Sequence, residues 1–219
     1  MARKLRGYAG LMKVGSQLFT AEGPRAVEKL AGMGFGVFLD LKFHDIPNTV
    51  AGAVASAAQL PGLRLLTVHT LGGSAMMRAA REAVQGKKKR PALLGVTILT
   101  SMDAAALTEI GISDTPGNRA LALGRLAQQS GLDGVVASAH EVRAIRAACG
   151  PKFLIVVPGI RPADSSSNDQ SRVASPAEAI RCGADYLVVG RPITGAPDPR
   201  KAALSIAKEM ASAASSRNS

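Results

Sequence analysis

The chain has 219 residues, 47% of them hydrophobic but only 3% aromatic and none of them tryptophan. That length supports one substantial domain, with a core built from Ala, Val, Leu and Ile as in α/β proteins. Composition also excludes several classes. Cys149 and Cys182 lie far apart without a CxxC spacing and read as reduced thiols of a cytoplasmic protein, three scattered histidines form no metal motif, no segment is long enough for a membrane helix, and the start, Met1 to Arg6, is too short and polar for a signal peptide. The formal net charge of +11 suits solubility or a polyanionic small substrate.

Along the chain, strand-like apolar runs recur at 11–14, 37–41, 65–69, 93–99, 134–137, 153–157 and 186–189. Helical patterns fill the intervals at 24–33, 49–59, 74–84, 118–130, 141–148 and 176–182, and a last helix covers 199–211. Lys87-Lys88-Lys89-Arg90 falls between two apolar segments and reads as a solvated loop in preference to a nucleic-acid patch, since no aromatics interleave with it. Strict alternation of apolar strands and helices predicts a parallel sheet covered by helices. The expectation is a TIM-type (β/α)8 barrel, one domain over residues 1–211, followed by a disordered Ser-rich tail at 212–219.

A barrel of this kind places its active site at the C-terminal ends of its strands, and polar residues cluster there. Lys13 sits between Met12 and Val14, either as a strand-edge lysine reaching solvent or as a site lysine. After the apolar run Val37-Phe38-Leu39 come Asp40 and Lys42, two apart and so on one face of a strand, with Leu41 on the other. Asp45 follows, and Pro47 stops the strand. Three charges at one buried strand exit incur desolvation that apolar packing would avoid, which favours function over a structural ion pair. His69 reads as a hydrogen-bonded core histidine, and Ser101 as the cap of a helix beginning near Asp103. Thr100 is left to offer its hydroxyl to a substrate. Pro158-Gly159-Ile160-Arg161 and Gly190-Arg191-Pro192-Ile193-Thr194 end the last two strands. Glycine there admits a phosphate close to the backbone, and Arg191 adds a bidentate partner. The polar stretch 162–170 between these strands is the expected lid.

Asp40-Leu41-Lys42-Phe43-His44-Asp45-Ile46-Pro47-Asn48-Thr49 resembles the signature of orotidine 5'-phosphate decarboxylases. Further blocks resemble that family in family order: Lys13-Val14-Gly15, Val96-Thr97-Ile98-Leu99-Thr100-Ser101, Pro158 to Pro162 and Tyr186 to Thr194. The resemblance implies a cofactor-free, cytoplasmic, homodimeric barrel that converts orotidine 5'-monophosphate to UMP and carbon dioxide, with no metal and no nucleic-acid or membrane partner. It implies that Lys42 protonates C6 and that Asp40 sits beside the substrate carboxylate. Asp45 would reach the partner's site, with Ile46 and Thr49 near it. Lys13 would touch ribose, Thr100 the pyrimidine, and Arg161, Gln170, Gly190 and Arg191 the phosphate side. The whole signature, including Leu41, Phe43, His44, Pro47 and Asn48, would then belong to the substrate-binding region.

Family members begin with a strand ending in Leu-Asp, whose aspartate binds ribose. No such strand is found in this sequence, so seven strands are expected, with the first strand and most of the first helix absent and residues 2–8 as the remnant of that helix. Two other readings are a magnesium-dependent sugar-phosphate barrel lyase, such as hexulose-phosphate synthase, and a non-catalytic protein that binds a phosphorylated ligand.

Overall fold

Apolar runs of four to eight residues separated by amphipathic segments can bury both faces only as parallel strands joined by helical crossovers. The computed structural model, which describes residues 1–86, 89–161 and 174–215, has this arrangement. Its strands are β1 (Leu11–Gly15), β2 (Gly36–Phe43), β3 (Leu63–His69), β4 (Ala92–Val96), β5 (Gly134–Val136), β6 (Leu154–Val157) and β7 (Tyr186–Leu187). They form one parallel sheet whose spatial order is the chain order. Among the described residues, β1 and β7 therefore each pair on one side only. The helices are α1 (Ser16–Glu22), α2 (Arg25–Gly32), α3 (Pro47–Ala57), α4 (Gly73–Glu82), α5 (Ala104–Glu109), α6 (Pro116–Gln129), α7 (Val142–Cys149), α8 (Pro176–Cys182), α9 (Arg191–Thr194) and α10 (Pro199–Ser215). None of the described helices is long and apolar enough to cross a membrane.

Side chains alternate across the sheet with the period of two that a strand imposes. Phe38, Leu65, Leu94, Val96, Val136 and Val156 pack with one another on the inner face. Their neighbours Val37, Leu39, Leu66, Leu93, Val135 and Ile155 pack outward against the helices. At the N-terminal ends of the strands, two aspartates act as clips. Asp133 accepts the Leu93 N–H and a bidentate pair from Arg90 at 2.6 and 2.8 Å. Asp185 accepts the Ile155 N–H and an Arg146 guanidinium N–H. Arg90 is therefore an anchor of this end rather than part of a solvated loop; Lys87 and Lys88 lie outside the described residues.

Other differences from expectation are local. Residues 16–22 form α1, a helix not foreseen, because it has no fully buried residue and so no apolar periodicity to announce it. Gly23, at φ 60°, separates it from α2. Strand β4 stops at Val96 rather than 99, because Ile98 turns out of the sheet to pack with Leu107, Ala120 and Leu123. Asp103, not Ser101, caps α5 by accepting from the Ala106 N–H. Helix α10 continues through Ser215, into the expected disordered tail, where Ala213 is buried and alanine favours helix.

Candidate active site

Strand β2 is irregular where its charges lie. From Leu39 to Phe43 it advances four residues while β3 advances two, from Leu66 to Val68. The bulge takes Asp40, Leu41 and Lys42 out of the regular ladder with β3. Lys42 has φ 52°, the one non-glycine residue at positive φ among the described residues. For an L-residue that conformation costs about 1–2 kcal/mol, and it persists only where its surroundings over-determine it. Here they do. The Lys42 N–H donates to Thr67 Oγ1 at 2.9 Å, and its ammonium donates to Asp40 Oδ1 at 2.9 Å.

Asp40 is 9% exposed and is the hub. Its Oδ1 also accepts from the Thr67 hydroxyl at 3.2 Å, while its Oδ2 faces the Lys13 ammonium at 3.2 Å. Gly15, opposite Asp40 in the β1–β2 register, leaves room for that ammonium; a Cβ there would lie 3.0 Å from Lys13 Nζ. Burial alone would raise the Asp40 carboxyl, but the Lys42 hydrogen bond and the Lys13 and Lys42 charges outweigh it and hold the carboxyl below its usual range. Both lysine side chains are about a third exposed, 36% and 35%, so each contact contributes only about 1 kcal/mol after screening. That does not offset several kcal/mol of desolvation at a buried carboxylate, so stability does not explain the cluster.

The cluster opens into a cavity of about 680 Å³ at the C-terminal ends of the strands. Lys13, Asp40 and Lys42 line it from β1 and β2, Thr100 from beyond β4, Arg161 from beyond β6, and Gly190 and Arg191 from beyond β7. Phe38, Val96, Val136 and Val188 form apolar lining. Among the described residues, the lining thus carries four cationic side chains and one carboxylate. Such a site suits a small ligand carrying several negative charges, with an apolar surface for a flat ring. A Cβ on Gly190 would meet nothing within 4 Å, so the backbone that opens α9 is bare to the cavity. At the C-terminal end of β3, His69 stacks on His44 with ring centroids 5.3 Å apart. Burial, then the neighbouring His44 and Lys42 charges, pull His69 down to about 4, so it is neutral at neutral pH.

Residues 1–206 match the model of the family described as orotidine 5'-phosphate decarboxylase / HUMPS. The chain belongs to this family. Proteins named orotidine 5'-phosphate decarboxylase from Nitrosococcus oceani and Anaeromyxobacter dehalogenans are 52% and 55% identical to it. The alignments cover 96% and 94% of this chain and 90% and 89% of those proteins. Among solved structures, orotidine 5'-phosphate decarboxylase from Lactobacillus acidophilus superposes with a TM-score of 0.79 at 40% identity, over 90% of this chain and 85% of that one. The enzyme from Pyrococcus horikoshii superposes with a TM-score of 0.76 at 25% identity, over 96% and 91%.

Set against the family's signature, the residues separate into two groups. Lys13, Asp40, Lys42, Thr100, Arg161, Gly190 and Arg191 converge on the cavity. Leu41 and Phe43 instead pack against the outer, helix-facing core, because the strand alternation turns them away. His44 and Asp45 are exposed, and Asp45 accepts its neighbour's Ile46 N–H at 2.6 Å. Ile46 is 66% exposed, and Pro47, Asn48 and Thr49 form the exposed first turn of α3. This group forms an outward-facing ledge. Gln170 and the expected lid at 162–170 lie outside the described residues. Sequence reading missed Thr67; its one signal is a lone hydroxyl in the apolar run of β3, two residues before His69. It also missed the apolar lining, which in sequence is indistinguishable from core.

Proposed function

We propose that this chain decarboxylates orotidine 5'-monophosphate to UMP and carbon dioxide, the reaction named for its relatives. The observation that carries the proposal is the Lys13–Asp40–Lys42 cluster, strained at Lys42 and opening into the same cavity as Arg161 and Arg191. Loss of carbon dioxide leaves a carbanion at C6 with no good route for delocalisation. A fixed ammonium stabilises that charge as it develops and then supplies the proton. Lys42 has this role, and Asp40 orients it. Asp40 also lies beside the substrate carboxylate, while Lys13 and Thr100 hold ribose and pyrimidine. Arg191, with Arg161, Gly190 and Gln170, holds the phosphate, so binding energy far from C6 serves the chemical step.

The donor set favours this reading over a magnesium-dependent sugar-phosphate lyase. Mg²⁺ is bound through carboxylate oxygens, and the only carboxylate among the described residues lining the cavity has an ammonium on each oxygen. The exposed ledge of Asp45, Ile46 and Thr49 supports the further reading that the enzyme is a homodimer, in which Asp45 completes the partner's site across an isologous interface. Its two unpaired cysteines suit the cytoplasm.

The test is UMP formation by the purified protein, with and without chelator, beside hexulose- and ketogulonate-phosphate substrates. Chelator-insensitive UMP formation is expected. UMP binding without turnover would instead favour a ligand-binding protein, and chelator-sensitive turnover of a sugar phosphate would favour the lyase.

A further inference from the structure

The bulge in β2 leaves the Lys42 N–H without its regular ladder partner on β3. A backbone donor that is partly withdrawn from water there is left to find another acceptor. Thr67, on the inner face of β3, supplies the acceptor from its side chain. Its hydroxyl has one proton to give and lone pairs to receive with. It accepts from the Lys42 N–H at 2.9 Å and donates to Asp40 Oδ1 at 3.2 Å. The same oxygen accepts from the Lys42 ammonium, so a closed ring runs from the Lys42 backbone through Thr67 and Asp40 to the tip of the Lys42 side chain.

We propose that Thr67 is a positioning residue for decarboxylation, fixing both the strained backbone of Lys42 and the carboxylate that aims its ammonium. This rests on the function proposed above. Thr67 is fully buried, whereas both lysines are about a third exposed, so it is the member of the ring for which water does not compete. As a β-branched residue it has few χ1 choices, which makes it a rigid bracket. Other buried threonines near the site differ: Thr70 and Thr97 donate to the main-chain carbonyls of Val96 and Val136 and so only stitch strands together. Thr67 alone of these three bonds to the charged pair.

The test compares Thr67→Val, which keeps the shape and removes the hydroxyl, with Thr67→Ser, which keeps the hydroxyl. Loss of the bracket lets the ammonium drift by a fraction of an ångström to an ångström, and misplacement on that scale lowers kcat by about 10–100-fold. KM for orotidine 5'-monophosphate and Kd for UMP should stay within about threefold, because phosphate and ribose contacts are untouched. Thr67→Ser should return kcat to within about threefold of the parent. Amide exchange at Lys42, measured on the free protein, should accelerate in Thr67→Val and not in Thr67→Ser. That second readout needs no turnover, so it separates a failure of this inference from a failure of the proposed activity. If Thr67→Val does not fold, Thr67→Ala takes its place. Unchanged Lys42 exchange, a kcat within threefold of the parent without the hydroxyl, or an equal loss in Thr67→Ser would each overturn the proposal.

Discussion

Replacing Lys42 by glycine and by alanine should reverse the usual order of those two residues in a strand. Glycine in a strand interior is ordinarily less stable than alanine by about 0.5–1 kcal/mol, because it loses more backbone freedom on folding. At φ 52°, however, alanine keeps the steric conflict of about 1–2 kcal/mol that Lys42 bears, and glycine does not. Both variants lose the same ammonium and the same contact to Asp40, so that term cancels between them. The difference leaves Lys42→Gly more stable than Lys42→Ala by about 0.5–1 kcal/mol. For a chain of this size that is about 1–4 °C in Tm. Parallel urea and thermal unfolding of the two inactive variants measures it. If Lys42→Ala proves the more stable, the backbone at Lys42 is not held in the left-handed region, and the view of a strained, function-bearing bulge fails.

Three further outcomes are expected. Arg191→Ala should weaken UMP binding by about 1.5–3 kcal/mol, about 10–150-fold, and uridine binding far less; equal losses would show that Arg191 does not read phosphate. His69 is neutral when folded down to about pH 4 but titrates near 6.5 when unfolded, so the unfolded state takes up the proton first. Stability should therefore fall as pH drops from about 6.5 to about 4, by roughly 1–2 kcal/mol once partial exposure is discounted, and denaturation of His69→Asn should show a flatter dependence over that window. Lys42→Ala and Asp45→Ala should each be nearly inactive alone but regain turnover when mixed under subunit exchange, since one hybrid site carries both residues; mixed dimers that form without activity would refute the trans role.

Alternation of apolar runs and helical patterns was sufficient to place the seven strands of the described residues, because parallel strands buried on both faces carry a strong local signal. Helix α1 had no such signal, since nothing on it is fully buried. The two-residue spacing of Asp40 and Lys42 correctly implied that they share a face, and the 2.9 Å contact realises it. Period-two reasoning could not foresee the bulge or the positive φ at Lys42, because both depend on the register against β3. Thr67 escaped for the same reason: it lies 25 residues from Lys42, and only pairing across the sheet brings its hydroxyl to that amide. The charged residues of the cavity were visible in sequence because charge at a buried strand end is anomalous, whereas its valines look like any other core valines.

The most direct measurement of the central claim is steady-state conversion of orotidine 5'-monophosphate to UMP by the parent and by Lys42→Ala, with folding and UMP affinity checked in both. The Asp40–Lys42 geometry predicts turnover by the parent without added metal. It also predicts a fall of at least about 10²–10⁴-fold in Lys42→Ala, the range for removal of a positioned acid, with UMP still bound. A folded, UMP-binding Lys42→Ala protein that decarboxylates at close to the parent rate would contradict it.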